Sequence, residues 1–159
     1  MTGSTHKRVL IERFDRETLR GFVNPQTWLT PCGIELITPA GAAVTIPYDD
    51  IKVVGFVRDF EGEGFASTRR SFTSRPKAQG LWVHLLFRDG DATEGLMTNN
   101  LLESGPAGFM VTPPEAASNL QKLFVPRAAL RELRVLSVVG SPLRRRKRPV
   151  PEEQIKLFE

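Results

Sequence analysis

One cysteine, Cys32, is all the thiol this sequence carries. It cannot form a disulfide within the chain, and alone it cannot build a thiolate metal site. It reads as a small apolar residue destined for a core. Histidine is almost as scarce. His6 lies near the start and His84 on a predicted strand, with no Cys or His at ligand spacing from either, which predicts no metal and no cofactor. No run approaches the ~18 to 20 apolar residues that a membrane-spanning helix needs. The opening MTGSTHKRVLIERF carries charges where a secretory signal needs an apolar stretch. The expectation is a cytoplasmic protein with no membrane contact. Paired groups for acid–base or nucleophilic chemistry are missing as well, because the acids fall mostly in turns and on strand exteriors. A non-enzyme is expected.

What is present is enough to fold. With 40% hydrophobic and 25% charged residues, the chain has the balance of a globular protein rather than of a disordered one. Its basicity is local. Arg144, Arg145, Arg146, Lys147 and Arg148 supply +5, more than the net +4, and the first 143 residues carry only +1. The charge points to a basic arm, not to a basic fold.

The most informative feature is that the chain repeats itself. VLIERFDRETLRGFV (9–23) returns as VHLLFRDGDATEGLM (83–97), an offset of 74 residues. IELITP (34–39) returns as GFMVTP (108–113) at the same offset, and TIPYDDIKVV (45–54) returns as FVPRAALREL (124–133) after an insertion of five. Each block is a short β-branched or aromatic run that ends at a turn. Asp89-Gly90 between two such runs is a strong hairpin signal. The first half has Arg16 where the second has Gly90, which predicts a turn of another type there. Gly21 and Gly95 sit inside the second strand of each half, where glycine marks a bend. Pro47 and Pro126 cannot donate to a central ladder and predict one-turn 3₁₀ connections.

These signals predict strands over about 8–14, 17–23, 33–38, 43–47 and 51–57, then 81–88, 92–98, 107–112, 122–126 and 130–138. The expected fold is all-β: two tandem five-stranded small barrels related by internal duplication, with a flexible C-terminal tail. Residues 6–57 form the first repeat and 80–139 the second. Residues 58–79 form a mobile Arg-, Phe- and Gly-rich linker, and 140–159 a basic, proline-containing tail with room for a short terminal helix. The two repeats are expected to sit as a pseudo-twofold pair.

VHLLFRDGDATEGLM resembles the first signature of Sm-like small barrels, and VPRAALRELRVL resembles the strand, tight turn and strand that close such barrels and SH3-like folds. The whole of about residues 6 to 139 is similar to a bacterial domain family of unknown function built from this duplication. In Sm proteins that bind uridine-rich RNA, an Asp-x-x-x-Asn type loop and an Arg-Gly turn form the pocket. Thr98-Asn99-Asn100 and Pro126-Arg127-Ala128 stand at those places here, so half of that pocket is missing.

Three groups of residues are candidate contacts. Arg58, Arg69, Arg70, Arg75 and Lys77 share the linker with Phe60, Phe65 and Phe72, a mixture that suits a phosphate beside a flat ring. It is similar to the PilZ cyclic-dinucleotide motif, although Arg70 and Arg75 are one residue too far apart and Asp91 to Gly95 lacks its serine. The bland alternative packs the phenylalanines on the barrels and leaves the arginines in solvent. The run Arg144 to Arg148 suits nucleic-acid phosphates or an acidic partner. Gln154, Leu157 and Phe158 resemble the Gln-x-x-Leu-Phe peptide that docks on bacterial sliding clamps, or else end a short helix that packs on the protein itself.

The function expected first is a non-enzymatic bacterial binding or regulatory module with a protein partner, leaving homo-oligomerisation open. The alternative is a nucleic-acid-associated protein, as an Sm-like RNA binder or a clamp-tethered DNA partner. A further alternative is a PilZ-like nucleotide sensor.

Overall fold

A computed structural model describes residues 5–115 and 119–140. These residues form ten β-strands joined by turns and short 3₁₀ segments, so the protein is all-β. The strands are β1 (Lys7–Arg13), β2 (Thr18–Val23), β3 (Ile34–Ile37), β4 (Ala43–Ile46), β5 (Ile51–Val57), β6 (Gly80–Phe87), β7 (Ala92–Met97), β8 (Gly108–Val111), β9 (Leu120–Pro126) and β10 (Leu130–Val139). All ten lie within two residues of the segments read from the repeat. Among the described residues no helix is long and apolar enough to cross a membrane.

The sheets are not partitioned five and five. One sheet has seven strands in the order β4-β3-β2-β1-β5-β9-β8, the other has three in the order β10-β6-β7, and neither closes into a barrel. The seam that the repeat did not reveal is the antiparallel pairing of β5 with β9, with Val54 opposite Phe124 and Gly55 opposite Leu123. A single bridge between Leu96 and Thr112, with reciprocal N–H···O bonds of 2.9 and 2.7 Å, links β7 to β8 and so joins the two sheets. Followed through these contacts, β4-β3-β2-β1-β5 is succeeded by β9-β8-β7-β6-β10. The halves therefore meet head to tail, through unlike strands. A pseudo-twofold pair would have joined like strands, and that expectation is overturned.

The seam mixes the cores. Leu10, Val53 and Val57 from the first half pack in one cluster with Val83, Leu85, Phe87, Leu120 and Leu123, while Phe124 from the second half packs in the other with Val9, Ile11, Ile51 and Val54. Neighbouring residues of β1 and β5 thus face different cores. This is why VLI and VV are unbroken apolar runs instead of alternating ones. Burying a side chain of this size stabilises the fold by ~1.5 to 3 kcal/mol, so neither half carries its interior alone.

Local geometry repeats closely. In β1 and β2 Val9 lies opposite Gly21; in β6 and β7 Val83 lies opposite Gly95. Pro47 and Pro126 both precede a 3₁₀ turn, with φ, ψ of −61°, 143° and −60°, 143°. Both prolines escape a lost ladder bond because the strand ends there. The first hairpin departs from expectation: Arg16 has φ of 75° and Gly90 of 95°, and the turns carry the same bonds, Arg16 N–H to Arg13 O and Gly90 N–H to Phe87 O. The turn type is therefore shared despite the substitution. Cys32, expected in a core, is exposed. The linker is also anchored rather than mobile: Phe65 is buried against Phe87, Phe60 packs edge-on to Phe22, and Phe72 packs edge-on to Trp82.

Candidate binding cleft

The loops at one end of the sheets enclose an open apolar cleft of about 790 Å³. One wall is Leu29, Thr30 and Pro31, after β2, with Tyr48 and Asp49 from the 3₁₀ turn before β5. The facing wall is Gly105, Pro106 and Ala107, before β8, with Arg127 and Ala128 from the 3₁₀ turn before β10. Each half thus contributes the loop between its second and third strands and the turn between its fourth and fifth.

Hydrogen bonds fix both walls. The Tyr48 hydroxyl donates to the Thr30 carbonyl at 2.6 Å, and the Thr30 hydroxyl donates to the Gly33 carbonyl at 2.7 Å. Opposite, the Arg127 N–H donates to the Ala107 carbonyl at 2.8 Å while its guanidinium stacks 4.7 Å from the Phe109 ring centre. Arg88, from the turn after β6, ties the walls together: its guanidinium donates to the Asp49 carbonyl at 2.5 Å and to the Ala128 carbonyl at 3.1 Å. Burial raises the pKa of the Tyr48 phenol, and the nearby Cys32 adds to that rise, so Tyr48 stays a neutral donor. An apolar cleft with one cation and one aromatic hydroxyl at its rim suits an apolar side chain whose backbone or terminus offers an acceptor.

A second cluster joins the halves by charge. The Lys52 ammonium, on β5, lies 2.9 Å from both the Asp89 and Asp91 carboxylates in the β6–β7 turn, and Arg70 of the linker lies 2.6 Å from Asp91. Burial raises the Asp91 pKa, but the hydrogen bonds and charges of Lys52 and Arg70 outweigh it and bring it down to about 2. In Asp89 burial is likewise outweighed, by the Asp91 N–H and Lys52, and its pKa is lowered. Lys52 is pushed down by burial and up further by the two aspartates, ending above its ordinary value. Glu12, on β1, is raised because burial outweighs the Ala66 N–H and the Lys52 and Arg70 charges. With every cation matched by an acid, the cluster is a clasp between halves and not an anion site.

The linker cations are brought together only in part: Arg69, Arg75 and Lys77 line one hollow with Phe72, and Arg58 and Arg70 do not. Arg70 is committed to Asp91 and stacks 4.3 Å from the Phe65 ring centre, Arg69 pairs with Glu115 at 3.3 Å, and Arg75 donates to the Val138 carbonyl at 3.2 Å. Lys77 lines a different hollow from Arg70, and Arg58 is exposed beside Asn119, which accepts its backbone N–H. Arg144 to Arg148 and Gln154, Leu157 and Phe158 lie outside the described residues. Tyr48, Arg88 and the cleft walls carried no signal of their own in the sequence. Arg127 figures in the sequence only within Pro126-Arg127-Ala128, which replaces the Arg-Gly turn of an Sm-type pocket and signals no contact.

The fold and cleft define an all-β protein whose loops form a shared pocket. Residues 5–137 match a family of unknown function (DUF6982), and the chain belongs to that family. Comparison with curated proteins and with solved structures finds no match.

Proposed function

We propose that the chain is a non-enzymatic binding module made of two copies of a small, Sm-like or SH3-like five-stranded unit, and that it takes an apolar segment of a partner protein in the cleft between them. The observation that carries this reading is that one cleft is walled by corresponding loops of both halves and held by Arg88. The duplication is supported by matched geometry: the glycines of the second strands lie under equivalent residues, Ile37 and Val111, of the third strands. The cleft offers apolar walls and one guanidinium, that of Arg127, with Asp49 opposite, while the Tyr48 and Thr30 hydroxyls already donate to the Thr30 and Gly33 carbonyls. Those groups recognise a short peptide with an apolar side chain and a nearby carbonyl or carboxylate.

Selection from a displayed random-peptide library tests it. Peptides enriched on the native chain should share an apolar residue beside an acid or a free C-terminus, and should lose binding at least tenfold on Ala128→Trp, which fills the cleft from an exposed position. No enrichment, or enrichment indifferent to Ala128→Trp, rejects the cleft as the site.

A further inference from the structure

Trp28 and Leu102 hold the same place in the two halves, and their surroundings differ. Each follows a turn that a side chain caps: Asn24 Oδ1 accepts from the Gln26 N–H, and Thr98 Oγ1 accepts from the Asn100 N–H. Trp28 is 5% exposed, edge-on to Phe56 at 5.4 Å and to Phe124 at 5.0 Å. Phe56 is on β5 and Phe124 on β9, so Trp28 fills the seam between halves. Leu102 is 94% exposed.

The difference has a topological cause. Among the described residues β5 is covered by β9, but β10, its counterpart, ends the three-stranded sheet, and β4, the counterpart of β9, ends the seven-stranded one. Both terminal strands carry exposed apolar side chains, Val135 at 47% on β10 and Val44 at 41% on β4. A strand edge left open in this way pairs with another chain unless something blocks it. The internal seam already shows which strands of this fold pair with each other.

We propose that β10 of one chain pairs antiparallel with β4 of a second copy, continuing the order in which β5 meets β9. The register follows from the seam. Val54 opposite Phe124, Gly55 opposite Leu123 and Phe56 opposite Lys122 become Leu133 opposite Thr45, Arg134 opposite Val44 and Val135 opposite Ala43 of the other copy. Leu102 then packs against Val135 and the Thr45 side of the incoming strand, as Trp28 packs against Phe56 and Phe124. Arg75, which caps the Val138 carbonyl, lies beyond the paired segment. Because the joint uses unlike edges, each added chain leaves the same two edges free, and assembly continues until the rotation closes a ring. This inference uses the equivalence of the halves and not the cleft's ligand, so peptide binding and assembly succeed or fail separately.

Disulfide trapping decides it. In a Cys32→Ser background, Arg134→Cys with Val44→Cys should give covalent dimers and larger species on mild oxidation, while each cysteine alone leaves monomer. Independently, Leu102→Glu should weaken self-association of the native chain at least tenfold in sedimentation equilibrium, with an unchanged circular dichroism spectrum because the site is exposed. A chain that stays monomeric at several hundred micromolar overturns the proposal. If the β10 amides that point away from β6 are then protected from hydrogen exchange, the edge is already covered within the chain. A disulfide that forms without any gain in mass overturns it as well.

Discussion

Arg16 and Gly90 share one left-handed backbone conformation at matching places in two hairpins, φ 75° and 95°. Asp15 Oδ1 accepts the Glu17 N–H at 2.9 Å, and Asp89 Oδ1 accepts the Asp91 N–H at 3.0 Å, so the turns agree down to their side-chain bonds. Holding an L residue there costs ~1 to 2 kcal/mol, which glycine avoids at an entropic cost of up to ~1 kcal/mol.

Arg16→Gly should therefore stabilise the protein, by ~0.5 to 1 kcal/mol in urea unfolding, with an unchanged slope. Gly90→Ala should destabilise it by ~1 kcal/mol, since open space around Gly90 leaves backbone strain as the cause. A loss of stability in Arg16→Gly would contradict the shared turn.

Gly21 and Gly95 answer to a different constraint. A Cβ on Gly21 would lie 2.6 Å from the Ile37 carbonyl oxygen, whereas on Gly95 it would meet the Val111 side chain first and the Thr112 carbonyl oxygen at 3.2 Å. Backbone yields less than a side chain. Gly21→Ala should cost about 3 kcal/mol and Gly95→Ala about 1.5 kcal/mol, the range for overpacking. Thermal unfolding of the two variants gives the order, and equal costs would undo the argument.

Lys52 is 13% exposed as a side chain and sits between Asp89 and Asp91. Lys52→Met should destabilise by about 2 kcal/mol at pH 7, between the values for exposed and for buried pairs. The pH dependence has a defined sign. Both aspartates have native pKa values below the ordinary 3.8, Asp91 at about 2. The stability they add is whole above pH ~4 and is lost as pH falls through about 2. The gap between native protein and Lys52→Met should be widest at pH 7 and narrow on acidification, first as Glu12, whose raised pKa Lys52 lowers, takes up its proton and then as the two aspartates do. Denaturant titrations at intervals of one pH unit measure it, and a gap that stays constant down to the lowest pH would mean Lys52 acts by packing on Phe87 alone.

How far the residues announced this architecture differs by level. Every strand was legible, because β-branched runs, an Asp-Gly turn and the two prolines act over a few residues, and the repeat supplied each signal twice. Arg16 misled for the converse reason: its neighbours impose a conformation that its own type disfavours. The cleft was largely hidden. Its walls come from four separated loops, and Arg88, which holds them, makes its bonds to backbone carbonyls that have no residue signature.

The amino-acid order by itself determined the ten strands, the places of their turns and their twofold recurrence, since each depends on local conformational preference and on short apolar runs. The tertiary structure decided that β5 takes β9, that Phe65 enters the core, that Cys32 faces solvent, and that Lys52 meets the two aspartates. Pairing of distant strand edges is made by backbone N–H and C=O groups that every residue carries. Side-chain packing along the seam, of the Trp28, Phe56 and Phe124 rings on one side and of Val53, Val57, Leu120 and Leu123 on the other, selects one partner over another.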